Sequence, residues 1–250
     1  MYQIVADLHT HTLVSNHAFN TITEMAAKAK SMNYKAIAVT DHACAMPDSP
    51  HIWYFYNLRR LPDVMEGIPV LKGIEANVMD INGTLDFESS ELAKFDWVIA
   101  SIHGDCLPGT LTVEQATQLW LNIAENPYVD MIGHSEQAKH IYDYDAVTKV
   151  FAQKNKVVEL NSNSYAVRPD GVGNMQRLAL ACKKNGCKVA LNTDAHSIYH
   201  LENGVSHLYK MLEEIDFPEE LIINSSGERL LQELTLHNKQ VVNRIGDFLL

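Results

Sequence analysis

Seven short apolar runs punctuate this chain, at residues 4–6, 36–39, 70–71 (with 73–74 following), 97–100, 131–132, 157–160 and 189–191. Each is rich in Val, Ile and Ala, as a strand buried on both faces should be. Helical start signals fall between them. Thr21-Ile22-Thr23-Glu24, Thr112-Val113-Glu114-Gln115 and Ser225-Ser226-Gly227-Glu228 each fit a capping box. Asp143 is a candidate first residue of another helix, and Asn174 of one that stops at Gly186. Strand and helix alternating in this way predict a parallel α/β fold, closed either as an open doubly wound sheet or as a barrel.

With 250 residues the chain suits one large domain or two small ones, and no linker rich in Pro, Gly or Ser divides it. A single domain over residues 1–250 is therefore expected. The hydrophobic fraction of 46% promises a sizeable core. Lys and Arg number 20 against 31 Asp and Glu, a net charge of −11. That balance disfavours a grip on nucleic acid or on an anionic membrane surface. No apolar run approaches the roughly 20 residues that span a bilayer. The first residues carry no basic segment followed by a long apolar one, so no signal peptide and a cytoplasmic location are expected. Cys44, Cys106, Cys182 and Cys187 form no CxxC and are expected to be reduced, small buried hydrophobes. Neither GxGxxG nor GxxxxGK[ST] occurs, so dinucleotide and P-loop chemistry are not indicated.

The histidines carry the chemistry. The first run is followed by His9 and His11, the second by His42, the third by Glu75 and the fourth by His103. The fifth is followed by His134, and the last by Asp194 and His196. In a parallel barrel the C-terminal strand ends form one face, where active sites lie. His9-x-His11 has period 2, which projects both imidazoles to one side of an extended segment. His17 sits in a polar loop within reach of the same face. With no cysteine at these positions, a closed structural zinc site is excluded. Nine candidates at about three protein ligands per catalytic ion suggest up to three metals. Imidazole and carboxylate suit Zn²⁺, Mn²⁺, Fe or Ni²⁺.

Asp7-Leu8-His9-Thr10-His11, Thr40-Asp41-His42, Gly73-Ile74-Glu75, Ser101-Ile102-His103-Gly104 and Thr193-Asp194-Ala195-His196, in this order, resemble the PHP (polymerase and histidinol phosphatase) superfamily. The spacing is most similar to its YcdX-like phosphatases and extends over essentially the whole chain. The resemblance implies a distorted seven-stranded (β/α)7 TIM-like barrel with a trinuclear, zinc-like site. On that likeness His9, His11, Glu75 and Asp194 would hold the first ion. Glu75, as a bridge, would hold the second with His103 and His134, and His17, His42 and His196 the third.

Paired divalent ions suit phosphoryl hydrolysis, because they clamp attacking and leaving oxygens and lower the pKa of bound water. The expected function is therefore a metal-dependent phosphatase that hydrolyses small phosphate monoesters with a metal-activated hydroxide. Glu75 and Asp194 stand at the reacting centre, and Arg168, after the sixth run, is a candidate phosphate ligand. The alternatives are a PHP-type phosphodiesterase or exonuclease, a non-catalytic metal-binding domain, and, less favoured, a C–N hydrolase. Homo-oligomerisation is left open. Asp7 and Asp41 are candidate partners that orient the histidine ligands. Residues 53–56 are expected to pack as a helix on the barrel, with the substrate mouth as the alternative. His51, His140, His200, His207 and His237 lack strand-end placement and are expected to be ordinary surface or core histidines.

Overall fold

The computed structural model describes residues 2–250. Its strands are β1 (Ala6–Asp7), β2 (Ala36–Val39), β3 (Val64–Met65), β4 (Ile68–Asn77), β5 (Trp97–Ser101), β6 (Met131–Ile132), β7 (Val157–Asn161) and β8 (Val189–Asn192). β1, β2, β4, β5, β6, β7 and β8 pair in parallel in that order, as a nearly closed barrel with helices outside. The barrel, and not the open sheet, is thus the closure. β3 is an addition that composition did not flag: it runs antiparallel to the start of β4 as a hairpin.

Side-chain alternation sorts each strand between two environments. Ile37, Val70, Ile74, Val98, Ile132, Val158 and Leu191 join the layer between barrel and helices. Their neighbours Ala36, Leu71, Trp97, Met131, Val157 and Ala190 point into the barrel, where they meet Leu230, Leu234, Ile245 and Leu249. Two C-terminal helices, Gly227–Leu236 and Val242–Leu249, supply those residues and plug the N-terminal end of the barrel. Two to four residues further along the same inward rows, the lining turns polar. Glu75, Ser101, Glu159, Asn161 and Asn192 are all fully buried. An apolar floor with a polar ceiling places the chemistry at the C-terminal face.

The seam between β8 and β1 is closed in two ways. At the C-terminal end Thr10 bridges Ala195, and His11 N donates to Ala195 O at 2.8 Å. At the other end Asn224 takes the place of the missing strand pairing. Its Nδ2 donates to Ala6 O and Leu191 O, both at 2.8 Å, and its Oδ1 accepts from Leu191 N at 3.1 Å.

The capping boxes at Thr21 and Thr112 are both formed, and Asp143 accepts from Ala146 N at 3.0 Å. Two helix starts differ from expectation. Ser226, not Ser225, caps the Gly227–Leu236 helix, because Ser225 Oγ instead donates to Ile222 O. The Val172–Asn185 helix begins before Asn174, whose amide donates to Glu136 O. Cys44 is exposed, contrary to expectation, while the other three cysteines are buried.

Candidate metal centre

The strand ends deliver the ligand-type side chains to one point, with Glu75 at its middle. Glu75 Oε1 lies 3.3 Å from His9 Nε2, 3.4 Å from His103 Nε2 and 3.0 Å from His134 Nε2. Glu75 Oε2 lies 3.6 Å from His11 Nε2 and 2.8 Å from His42 Nδ1. Glu75 lies within β4, which continues to Asn77, and not beyond its end. Across from it, Asp194 Oδ1 lies 3.2 Å from His11 Nε2, 3.7 Å from His9 Nε2 and 3.6 Å from His196 Nδ1.

The donor atoms form three compact groups: His9, His11 and Glu75; His42, Glu75 and His103; and His11, His42 and His196. Within each, all ligand atoms lie within 4.8 Å of one another. His17 stands at the rim, its ring stacked on His196 at 4.4 Å between centroids, and its Nδ1 pairs with Asp48.

Several of these atoms lack the partners that burial demands. His9 Nε2, both ring nitrogens of His11, His42 Nδ1, Glu75 Oε2 and His196 Nε2 are buried without a hydrogen bond. Even His42 Nδ1 and Glu75 Oε2, at 2.8 Å, are not aligned for one. A single orphaned buried polar group costs about 1–3 kcal/mol. A cluster of them facing inward on one another fits divalent cations, which accept lone pairs from every side.

The electrostatics agree. Burial would raise the pKa of Glu75, but His103, His9 and His42 outweigh it and hold the carboxyl well below its ordinary range. Asp194 is likewise held low against burial by His9, His11 and His196. Burial, with His196 and His42 beside it, pushes His11 well down. Burial and Arg168 push His134 down to about 4. Ionised carboxylates and neutral imidazoles are the protonation states that metal binding needs, and His11, His134, Glu75 and Asp194 meet them. His9 and His42 are instead held up, against burial, by the carboxylates around them, Glu159 and Glu75 foremost, so a cation bound there would take the place of a proton. His134 and Asp194 also adopt positive φ, 28° and 53°, a conformation few non-glycine residues hold and one that clusters at functional sites. Gly133 lets the chain pass at this depth, since a Cβ there would lie 2.1 Å from Ser101 Oγ.

The support around the ligands differs from expectation. Asp7 and Asp41 touch no imidazole. Asp7 accepts from the backbone N–H of His9 and of Thr193 and from the Thr193 hydroxyl. Asp41 accepts from Thr12 N and from the hydroxyls of Thr12, Ser15 and Tyr54. Both pin loop backbone. The rings are oriented by residues the sequence reading passed over. Glu159 Oε1 accepts from His9 Nδ1 at 2.7 Å, and Asn77 Oδ1 accepts from His103 Nδ1 at 2.7 Å. Glu159 sits inside the apolar run 157–160, and the acid in that run was the available signal.

The cluster opens into a cavity of about 400 Å³ bordered by His17, His103, Asn163, Arg168, His196 and His200. His200 therefore borders the site, contrary to expectation. Arg168 Nη2 donates to Asp194 Oδ2 at 3.2 Å, and its Nε donates to Ser164 Oγ at 2.9 Å. Ser164 in turn donates to Glu136, a fully buried carboxyl that burial pushes up to about 7. The helix Ile52–Leu58 buries Phe55 against the core and leaves Trp53 exposed.

The PHP domain family model matches residues 7–163. A protein of Acetivibrio thermocellus named "Probable phosphatase" is 36% identical over 97% of this chain and 99% of its own. One from Clostridium novyi of similar name is 38% identical over 94% of this chain and 96% of its own. Among solved structures, the histidinol phosphate phosphatase of Lactococcus lactis, complexed with zinc, L-histidinol and phosphate, superposes with a TM-score of 0.62. It covers 85% of this chain and 94% of its own at 18% identity, a likeness of fold. Strand-end ligands, family match and full-length relatives agree: the chain belongs to the PHP domain family.

Proposed function

We propose that this chain is a metal-dependent phosphatase acting on small phosphate monoesters, with three divalent ions, zinc first, held at the barrel mouth. The observation that carries the reading is the convergence of His9, His11, His42, His103 and His134 on the one buried carboxylate of Glu75. His9, His11, Glu75 and Asp194 form the first ligand set. Glu75 would also serve a second set with His103 and His134. His17, His42 and His196 would form the third, with Asp48 paired to His17 Nδ1. Bound there, divalent ions supply positive charge for phosphoryl oxygens and activate water.

The chain's own residues supply the rest. Arg168 lines the cavity as a cation locked by Asp194 and Ser164, placed to take a phosphoryl oxygen. The names of the relatives and the phosphate found in the Lactococcus lactis neighbour support the same reading. No helix is long and apolar enough to cross a membrane among the described residues, and the net charge of −11 repels polyanions.

Steady-state kinetics test the substrate class. We expect kcat/KM for small monoesters to exceed that for phosphodiesters and single-stranded DNA by at least about tenfold, roughly 1.4 kcal/mol. Added salt should narrow the gap by screening repulsion. Equal or better turnover of the oligonucleotide would establish the nuclease reading instead.

A further inference from the structure

A second cavity, of about 360 Å³, adjoins the metal cavity and shares Val167 and Arg168 with it as a common wall. The loops after β5, β6 and β7 enclose it, so it sits beside His103 and His134 on the same C-terminal face. At about 300–1,000 Å³, ligand cavities hold a small molecule. Gly104 and Gly109 line it with nothing within 4 Å of where a Cβ would stand, so that side is open. Gln137 ties the two cavities together: its Nε2 donates to Ile102 O at 2.9 Å, and its amide lies 3.0 Å from His134 Nδ1.

Two features of the lining select chemistry. His140, only 3% exposed, lines the cavity with neither ring nitrogen in a hydrogen bond among the described residues, and its Nδ1 is buried. The charged side chains on the walls are Lys139, Arg168 and Asp170; Arg168 is already paired with Asp194, whereas Lys139 makes no ion pair among the described residues and is the cation left to meet an anion. A phosphoryl group anchored at the metal cluster and Arg168 would point its ester oxygen past that shared wall.

We propose that this cavity is the leaving-group subsite, and that it takes a compact, hydroxylated alcohol bearing a second anionic group, a carboxylate or another phosphate. The proposal rests on the phosphatase reading and narrows its substrate. Lys139 meets the remote anion, and His140 meets a hydroxyl or acid oxygen nearer the wall. Aromatic or aliphatic monoesters would leave both side chains unanswered.

The test is a ratio. For the metal-loaded wild-type chain, kcat/KM for 3-phosphoglycerate should exceed that for glycerol 1-phosphate, which lacks the carboxylate, by about tenfold or more. Lys139→Gln, an exposed position, and Ala138→Trp, which fills the cavity, should each bring the ratio toward one. Calorimetric binding of the two corresponding phosphonates, which cannot turn over, should follow the same order. A wild-type ratio near one, or a ratio that neither substitution moves, overturns the subsite and leaves the phosphatase reading standing. Failure of the metal-loaded wild type to hydrolyse any monoester overturns that reading, and the subsite with it.

Discussion

Glu159 Oε1 accepts the Nδ1 proton of His9 at 2.7 Å, with both side chains sealed from solvent. The contact keeps a proton on Nδ1, so Nε2, which faces Glu75 and Asp194, is the nitrogen left for a cation. Glu159 Oε2 at the same time accepts from His134 N at 2.8 Å. One buried carboxylate thus orients a candidate ligand after β1 and holds the backbone of another after β6.

Glu159→Gln should therefore weaken metal binding by about 10–100-fold, the usual effect of losing such a partner. Glutamine has one acceptor oxygen for two N–H donors, so either His9 or His134 meets an amide N–H. Competition against a calibrated chelator reads the affinity. A variant that binds as tightly as wild type would remove Glu159 from the support of the site.

Glu75→Gln and His17→Ala separate a bridge from a terminal ligand. Glu75 lies against both the His9/His11 and the His103/His134 sides of the cluster, whereas His17 stands at the rim. The first variant should lose more than one ion per chain and the second about one, by elemental analysis. Equal losses would show that Glu75 is not shared.

How much of this was legible in the sequence depended on where a residue falls relative to a strand end. His9, His42, His103, His134 and His196 stand just past apolar runs, where a parallel barrel gathers its site, so their residue type and position declared them together. Glu159 and Asn77 were hidden because they lie within strands. Along an inward row the environment changes from floor to ceiling in two to four residues, and a run scored as apolar conceals that change. The seam was hidden for another reason. Asn224 substitutes a side chain for strand pairing, and no period in the sequence records that. Asp7 and Asp41, expected to orient the histidine rings, do not, because backbone N–H groups and hydroxyls that the fold brings from Thr193, Thr12, Ser15 and Tyr54 occupy their oxygens.

Asn224→Ala should cost about 2–4 kcal/mol of stability. It removes three buried hydrogen bonds worth about 1 kcal/mol each and orphans groups on β1 and β8. Urea unfolding measures it. A loss below about 1 kcal/mol would mean that the barrel seam does not depend on this side chain.

The plug of the barrel should impose its own pH dependence. Burial disfavours the charged form of His237, but hydrogen bonds to Asp130, at 2.9 Å from Nδ1, and Glu233, at 3.2 Å from Nε2, outweigh it and raise its pKa. The folded state therefore holds the proton to higher pH than the unfolded chain, whose histidine titrates near about 6.5. The stabilisation is complete below that value and is lost as pH rises through the folded pKa. Unfolding midpoints of wild type and His237→Gln should differ most near pH 6 and converge toward pH 9. A gap independent of pH would show that the imidazolium contributes nothing.

Metal content measured together with turnover on a small phosphomonoester, in protein purified without chelators, decides whether the site is a trinuclear hydrolytic centre. About three divalent ions per chain are expected, with activity lost on stripping and restored as they return. Full activity with one ion per chain, or with none, would contradict a trinuclear centre.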